Sequence, residues 1–256
     1  MKKYKVGLVL SGGAARGFAH LGVLKALEEN GLKPGIISGV SAGAIAGAFY
    51  ADGYTPEEIL EIYLGRNLFD LVQFTIPRTG FFKLSGMKKV LKKYLRAKRL
   101  EDLKIPLVVT ATSLNDGKAV FFREGDLADT ILASSAVPLL FEVITINNVE
   151  YIDGGITNNL PLAPIAGKCA KLIGVYVNHS GYQEHVEGLA HIAERAFHLA
   201  VSTDIEKKKS LFDIYIEPGE LANFGFFDLK NGHELFRIGY ETAIKMIREK
   251  ENTIRD

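Results

Sequence analysis

Residues 35–52 read GIISGVSAGAIAGAFYAD, and the order of residue types within them decides the fold. The first six, Gly35 to Val40, form a short apolar run of the kind that makes a buried strand. The run breaks at Ser41, and from Ala42 onward small residues repeat as they do in a closely packed helix. Gly39-Val40-Ser41-Ala42-Gly43 therefore matches G-x-S-x-G, where glycines flank a serine because a sharp strand-to-helix turn leaves no room for side chains. Such an elbow holds a hydroxyl out at the N-terminus of a helix. In a chain with 26 glycines the bare pattern is weak, and its placement between a strand and a helix is what gives it meaning.

Upstream, YKVGLVL at 4–10 reads as a strand that stops at Ser11-Gly12-Gly13, and Leu21, Val23, Leu24 and Leu27 recur at helical spacing until Asn30-Gly31. The order strand, glycine loop, helix, strand, elbow, helix predicts two parallel strands joined by a right-handed crossover. Both following loops then open at the same edge of the sheet, so Gly12–Gly17 and Ser41 should be neighbours. Downstream, Thr55-Pro56-Glu57-Glu58 starts a helix and Ser85 starts another. Hairpins are expected at 105–125, turning at Asn115-Asp116-Gly117, and at 142–152, turning at Asn147-Asn148. A helix near 126–135, strands at KLIGVYVN and FDIYIE, a long helix over 186–207 and a closing amphipathic helix over 231–250 complete an α/β pattern. No repeat, low-complexity tract or linker interrupts it, so residues 1–256 are expected to form a single domain.

Composition narrows the function classes. With 47% apolar residues the chain has material for a large core. The 31 basic and 30 acidic residues are spread along the chain, which argues against gripping a nucleic-acid backbone. One cysteine, Cys169, makes no intramolecular disulfide, and no zinc-ligand spacing accompanies it. Without an apolar run of membrane-spanning length or a cleavable leader pattern, the expectation is a soluble cytoplasmic protein.

Gly12-Gly13-Ala14-Ala15-Arg16-Gly17 has small residues whose backbone N–H groups can face an anion at a helix start. A phosphate-binding P-loop would end in Gly-Lys-Ser/Thr, and a dinucleotide fingerprint would have glycine where Ala14 stands. Beside Ser41 the same amides can stabilise an oxyanion, or the loop can simply serve packing. A serine nucleophile also needs a base. His185, His191 and His198 lie on one charged stretch and read as solvated, His179 and His233 lie near loops, and His20 stands one turn past the glycine loop. Asp153 ends a strand before two glycines, which permit close backbone approach and an exposed carboxylate, although Asp-Gly-Gly is also an ordinary turn.

Three motifs in order, GGAARG, GVSAG and DGG, make the sequence resemble the patatin-like phospholipases, in particular their compact bacterial members. The likeness runs through SGGAARGFAHLGVLKAL, ISGVSAGAIAGAFYADG, ASSAVPLLF and YIDGGITNNLPL, and more loosely through GHELFRIGYETA. It implies a three-layer α/β/α fold with a mainly parallel sheet, and a Ser-Asp dyad that hydrolyses acyl esters of lipids without histidine, metal or other cofactor. By position, Ser41 becomes the nucleophile and Asp153 the base, Gly39 and Gly43 the elbow glycines, and Gly12, Gly13, Ala14 and Arg16 the oxyanion hole. Ser134 and Ser135 fall in a shared stretch and read as structural support. Ala14 departs from the family, which usually has a third glycine there. The implied partner is a phospholipid, lysophospholipid or simple acyl ester met at a membrane surface. A lipid-binding module with little turnover and an acyltransferase using the same serine are the rivals. Residues 66–84, rich in Leu, Phe and Ile but without clean period, suit a lid over an acyl channel or ordinary core, with Lys83, Lys88 and Lys89 near enough to meet anionic head groups.

Overall fold

The computed structural model describes every residue except 1–2, 65, 67, 72, 75–79, 180–184, 186, 204, 226–227 and 256. Strand β1 (Tyr4–Leu10) is buried from Val6 onward and leads through the glycine loop and a 3-10 turn into α1 (Phe18–Glu29). Strand β2 (Ile36–Val40) meets α2 (Ala42–Asp52) at Ser41. Helix α3 (Pro56–Tyr63) begins on a capping box, with the Glu58 N–H donating to Thr55 Oγ1 at 3.2 Å and the Thr55 N–H to Glu58 Oε2 at 2.8 Å. There follow α4 (Leu68–Leu71), β3 (Gln73–Phe74), β4 (Gly80–Lys83), α5 (Ser85–Tyr94), β5 (Leu107–Ser113), β6 (Ala119–Phe122) and α6 (Leu127–Ser135). Strands β7 (Leu139–Phe141), β8 (Ile144–Ile146) and β9 (Val149–Asp153) precede the short α7 (Gly155–Asn158) and β10 (Cys169–Val175). The chain ends with α8 (Leu189–Val201), α9 (Ile205–Lys209), β11 (Ile214–Ile216) and α10 (Gly232–Arg255).

Strands β11, β10, β1, β2 and β5 lie side by side and parallel. Period-2 alternation splits their side chains between two cores. Leu8, Leu10, Ile37 and Val109 face a large core shared with α1, α2, α3, α5, α6 and α10. Val9, Ile36 and Val108 face a smaller one closed by Leu160, Leu162, Ile165 and Ile205. The result is the expected α/β/α layering. On the first side α10 crosses α1 at backbone contact, since a Cβ on Gly22 would come within 1.9 Å of the Phe236 carbonyl and one on Gly239 within 2.1 Å of the Ala19 carbonyl.

One detail of the sheet positions the site. Strand β5 pairs with β2 through Leu107–Thr110, with β6 through Val109–Thr112 and with β9 through Ala111–Ser113. The overlaps put β6 on one edge of β5 and both β2 and β9 on the other. Strand β9 therefore continues, antiparallel, the edge that β2 leaves after Val40, and Asp153 opposite Ala111 arrives beside the residue that follows Val40. The hairpin that delivers β9 turns at Asn147 and Asn148, both at positive φ (50° and 62°), as a two-residue primed turn requires.

One expectation changes, and one left open is partly filled in. The long helix over 186–207 is interrupted after Val201, leaving α8 and α9. In the segment 66–84, Leu71 and Leu84 are core, Phe82 packs against it, and Phe81 is exposed; Val72 and Ile76 lie outside the described residues. Its strands β3 and β4 join β7 in a separate three-stranded sheet, which needs partners 59 residues further along the chain, Leu139 for Gly80 and Phe141 for Phe82, and so leaves no local period. No helix among the described residues is long and apolar enough to cross a membrane.

Candidate active site

Ser41 caps α2 with φ 52° and ψ −122°, backbone angles that L side chains rarely adopt. Close packing enforces the turn: a Cβ on Gly39 would stand 2.7 Å from the Gly43 carbonyl oxygen, and one on Gly43 2.5 Å from that of Leu10. The Ser41 N–H donates to Ser134 Oγ at 2.8 Å, and the Ser134 hydroxyl donates to the Thr110 carbonyl at 2.6 Å. Ser134 thus ties the elbow to α6 and β5. Ser135 turns its hydroxyl back to Ile131 O at 2.9 Å.

Asp153 is buried, not exposed as the two following glycines suggested, because Gly154 lets the chain press onto β5; a Cβ there would meet the Thr110 carbonyl at 2.2 Å. Its Oδ1 accepts the Gly155 N–H at 2.7 Å, and its Oδ2 has no hydrogen-bond partner among the described residues. Burial pushes the carboxyl up to about 6; the facing Ser41 hydroxyl and the Gly155 N–H pull it partly back. The hydroxyl is close enough to favour the carboxylate while falling short of a well-aligned hydrogen bond.

The glycine loop lies against the elbow. A Cβ on Gly12 would be 3.2 Å from Ser41 Cβ, and one on Gly17 2.6 Å from Ala42 Cβ. The Gly12 N–H is committed to Asn159 Oδ1 at 3.0 Å, whereas those of Gly13 and Ala14 donate no hydrogen bond among the described residues. Ala14 has φ 47°, a left-handed conformation that costs a non-glycine residue about 1 kcal/mol, which accounts for the glycine usual in the family. Arg16 points away from the loop's outer face: its guanidinium is buried, donating from Nε to Phe224 O at 2.9 Å and lying 3.4 Å from His198 Nδ1. The solvated reading of His198 is accordingly wrong. Burial, then the charges of Arg16 and Arg195, hold it down to about 3, so it is a neutral acceptor. His20, pushed down to about 4 by burial, donates from Nε2 to Ser11 O at 2.8 Å. No histidine hydrogen-bonds Ser41 or Asp153 among the described residues.

A cavity of about 150 Å³ opens beside Ser41, lined almost wholly by apolar groups such as Ile45, Ile59, Leu71, Leu84, Met87 and Phe141. Sequence reading missed Asn159, which clamps the glycine loop from six residues past Asp153. The only signal for it is its place in the YIDGGITNNLPL stretch.

Residues 8–166 match the family model for patatin-like phospholipase. An uncharacterized NTE family protein of Mycobacterium bovis is 35% identical over 179 residues, 69% of this chain and 50% of that protein. Lysophospholipase NTE1 of Kluyveromyces lactis is 28% identical over 274 residues, 92% of this chain and 18% of that protein. The chain thus spans half or less of these relatives. Among solved structures, VipD from Legionella pneumophila aligns with TM-score 0.58 at 17% identity, over 97% of this chain and 67% of that one. ExoU of Pseudomonas aeruginosa, in its complex with SpcU, gives 0.51 at 16% identity over 96% and 52%. At such identity these two speak for the fold.

Proposed function

Because this chain belongs to the patatin-like phospholipase family, we propose that it is a serine acyl hydrolase that cleaves carboxylic esters of phospholipids, lysophospholipids or simpler lipids. The observation that carries the reading is the meeting of Ser41 with a buried, partly unpaired carboxylate, Asp153, beside an apolar cavity. Ser41 Oγ attacks the acyl carbonyl carbon while Asp153 Oδ2 takes its proton. The N–H groups of Gly13 and Ala14, both unspent among the described residues, receive the developing oxyanion. The Gly12 amide is occupied by Asn159 and the Arg16 guanidinium is turned aside, so both act by holding the loop. Collapse of the tetrahedral intermediate breaks the ester bond, and the proton on Asp153 passes to the departing alcohol. Water, deprotonated by Asp153, then attacks the acyl carbon; the Ser41 Oγ–acyl bond breaks, the acid leaves, and the proton on Asp153 returns to Ser41 Oγ. The cavity takes the acyl chain. The residues act as one unit, within the cytoplasm and at the surface of a membrane.

Ser41→Ala should lower short-chain ester hydrolysis by several orders of magnitude in a folded protein, and a fluorophosphonate should label the parent chain at Ser41 alone. More than a tenth of the activity remaining in Ser41→Ala, or no labelling, would sink the assignment; a binding module needs no activated serine.

A further inference from the structure

From Gly80 to Arg99 the sequence reads GFFKLSGMKKVLKKYLRAKR, with eight basic residues and no acidic one. Outside it, 23 basic residues face 30 acidic ones, so the near-zero net charge conceals a polarised chain, and the even spread read from the whole sequence fails here. Helix α5 carries Lys89, Lys92 and Lys93 on its exposed side while Val90 and Leu91 are buried and Met87 lines the cavity. Lys83 and Lys88 are paired with Glu142 and Asp129 at 3.7 and 2.6 Å; Lys89 and Lys92 have no acidic partner among the described residues.

Beside this row the cavity has an apolar rim. Alternation along β4 sets Phe82 inward and leaves Phe81, 48% exposed, on the outer side with Lys83. Strand β7 runs parallel to β4 with Leu139 opposite Gly80. Leu139 is 73% exposed, more than any other large apolar side chain among the described residues, and has φ 69°, which a bulky L residue rarely adopts. Its neighbours Val137, Leu140 and Phe141 line the cavity. The Phe141 N–H donates to Val137 O and the Glu142 N–H to Phe82 O, both at 2.9 Å, so the surrounding backbone holds Leu139 in an unfavourable, outward conformation.

We propose that this face docks on an anionic lipid bilayer: Phe81 and Leu139 enter the acyl-chain region, and the α5 lysines meet the head groups. A nucleic acid would match the lysines but offers no apolar layer for the two side chains beside them. A bilayer presents uniform negative charge over hydrocarbon, and the cavity next to the rim is where a lipid tail leaving that hydrocarbon would go. In supplying lipid to Ser41 the proposal rests on the hydrolase reading, yet the docking is measurable without turnover.

The experiment is co-sedimentation of the Ser41→Ala chain with vesicles of phosphatidylcholine containing phosphatidylglycerol, and with vesicles of phosphatidylcholine alone. Binding should favour the anionic vesicles about tenfold or more and weaken as salt is added. Two double variants are then compared: Leu139→Asn with Phe81→Ser, asparagine being tolerant of positive φ, and Lys89→Glu with Lys93→Glu. Each should weaken vesicle binding about tenfold, and in the chain that retains Ser41 each should leave soluble-ester turnover within about twofold of the parent. Absence of vesicle binding, indifference to lipid charge, or undiminished binding by both variants overturns the docking face. So does lysine-dependent binding to duplex RNA in a chain that ignores vesicles. Vesicle binding as described in a protein with no esterase activity leaves the docking face standing and removes the hydrolase reading.

Discussion

At the scale of single residues, the burial of Asp153 sets opposite demands on activity and stability. As a base it must be ionised, and burial has raised its carboxyl to about 6. Soluble-ester turnover should therefore be level above that pH and fall about tenfold per unit below it; a profile flat down to pH 4 would exclude Asp153 as the base. The same shift costs stability. An unfolded aspartate ionises near 4, so the folded state holds this proton more tightly than the unfolded state. The group's contribution to stability is greatest below pH 4 and is lost as pH rises through 6, a loss of about 3 kcal/mol by pH 8. Asp153→Asn keeps an acceptor for the Gly155 N–H and removes the buried charge. It should be almost inactive yet more stable than the parent at pH 8, by about 2 kcal/mol in urea unfolding, with the advantage fading towards pH 4. Equal stabilities at both pH values would refute this. Ser41 was legible in the sequence because its turn needs glycines within two residues on either side. The burial of Asp153 was not, because its partner on β5, Ala111, lies 42 residues away.

At the scale of elements, the site depends on how the glycine loop is held. Asn159 grips it by accepting the Gly12 N–H, and a Cβ placed on Gly155 would lie 3.0 Å from Asp153 Oδ1 and 3.1 Å from Asn159 Oδ1. The two side chains therefore approach each other around Gly155, and Asn159 is a positioning residue shared by the loop and the base. Asn159→Ala leaves a buried N–H without an acceptor and should destabilise the chain by about 1–3 kcal/mol. With the loop loosened, kcat should fall more than tenfold while KM changes little, because the lost alignment concerns the oxyanion more than the bound ester. Asn159→Asp retains the acceptor but adds a second negative charge near Asp153, so activity should return at high pH with its acid limb moved upward. An acid limb unmoved in Asn159→Asp, or a change confined to KM in Asn159→Ala, would reduce Asn159 to a packing role. The helices, hairpins and Asn-Asn turn were legible because caps, periods and turn residues are local signals. The sheet of β3, β4 and β7 and the end-to-end placing of β2 and β9 against one edge of β5 were not, since both arise from pairing between distant segments.

At the scale of the whole molecule, the family match ends at residue 166, but the structure that supports the site does not. Strand β10 pairs along β1 from Tyr4 opposite Cys169 to Leu10 opposite Val175, and β11 adds to β10. Without them β1, whose residues from Val6 onward are buried, would become an exposed apolar edge. The glycine loop leans on the same region. The Val177 N–H donates to Ser11 Oγ at 3.0 Å, a Cβ on Gly13 would strike the Val177 side chain at 2.5 Å, and Arg16 is anchored on Phe224 O. Helix α10 closes over α1 at the Gly22 and Gly239 contacts. Strands β10 and β11, helix α10, Val177 and Phe224 thus complete the sheet, cover α1 and brace the oxyanion loop, and a chain stopped at residue 168 loses all three. Such a fragment should aggregate or lack a cooperative thermal transition, and should show neither ester hydrolysis nor fluorophosphonate labelling. In the full chain, Gly239→Ala forces a methyl against the Ala19 carbonyl and should lower the melting temperature by many degrees, with activity lost in step with folding. A monomeric 1–168 fragment that unfolds cooperatively and still labels at Ser41 would show that residues 8–166 are sufficient, and that the bracing by β10 and α10 is dispensable for the site.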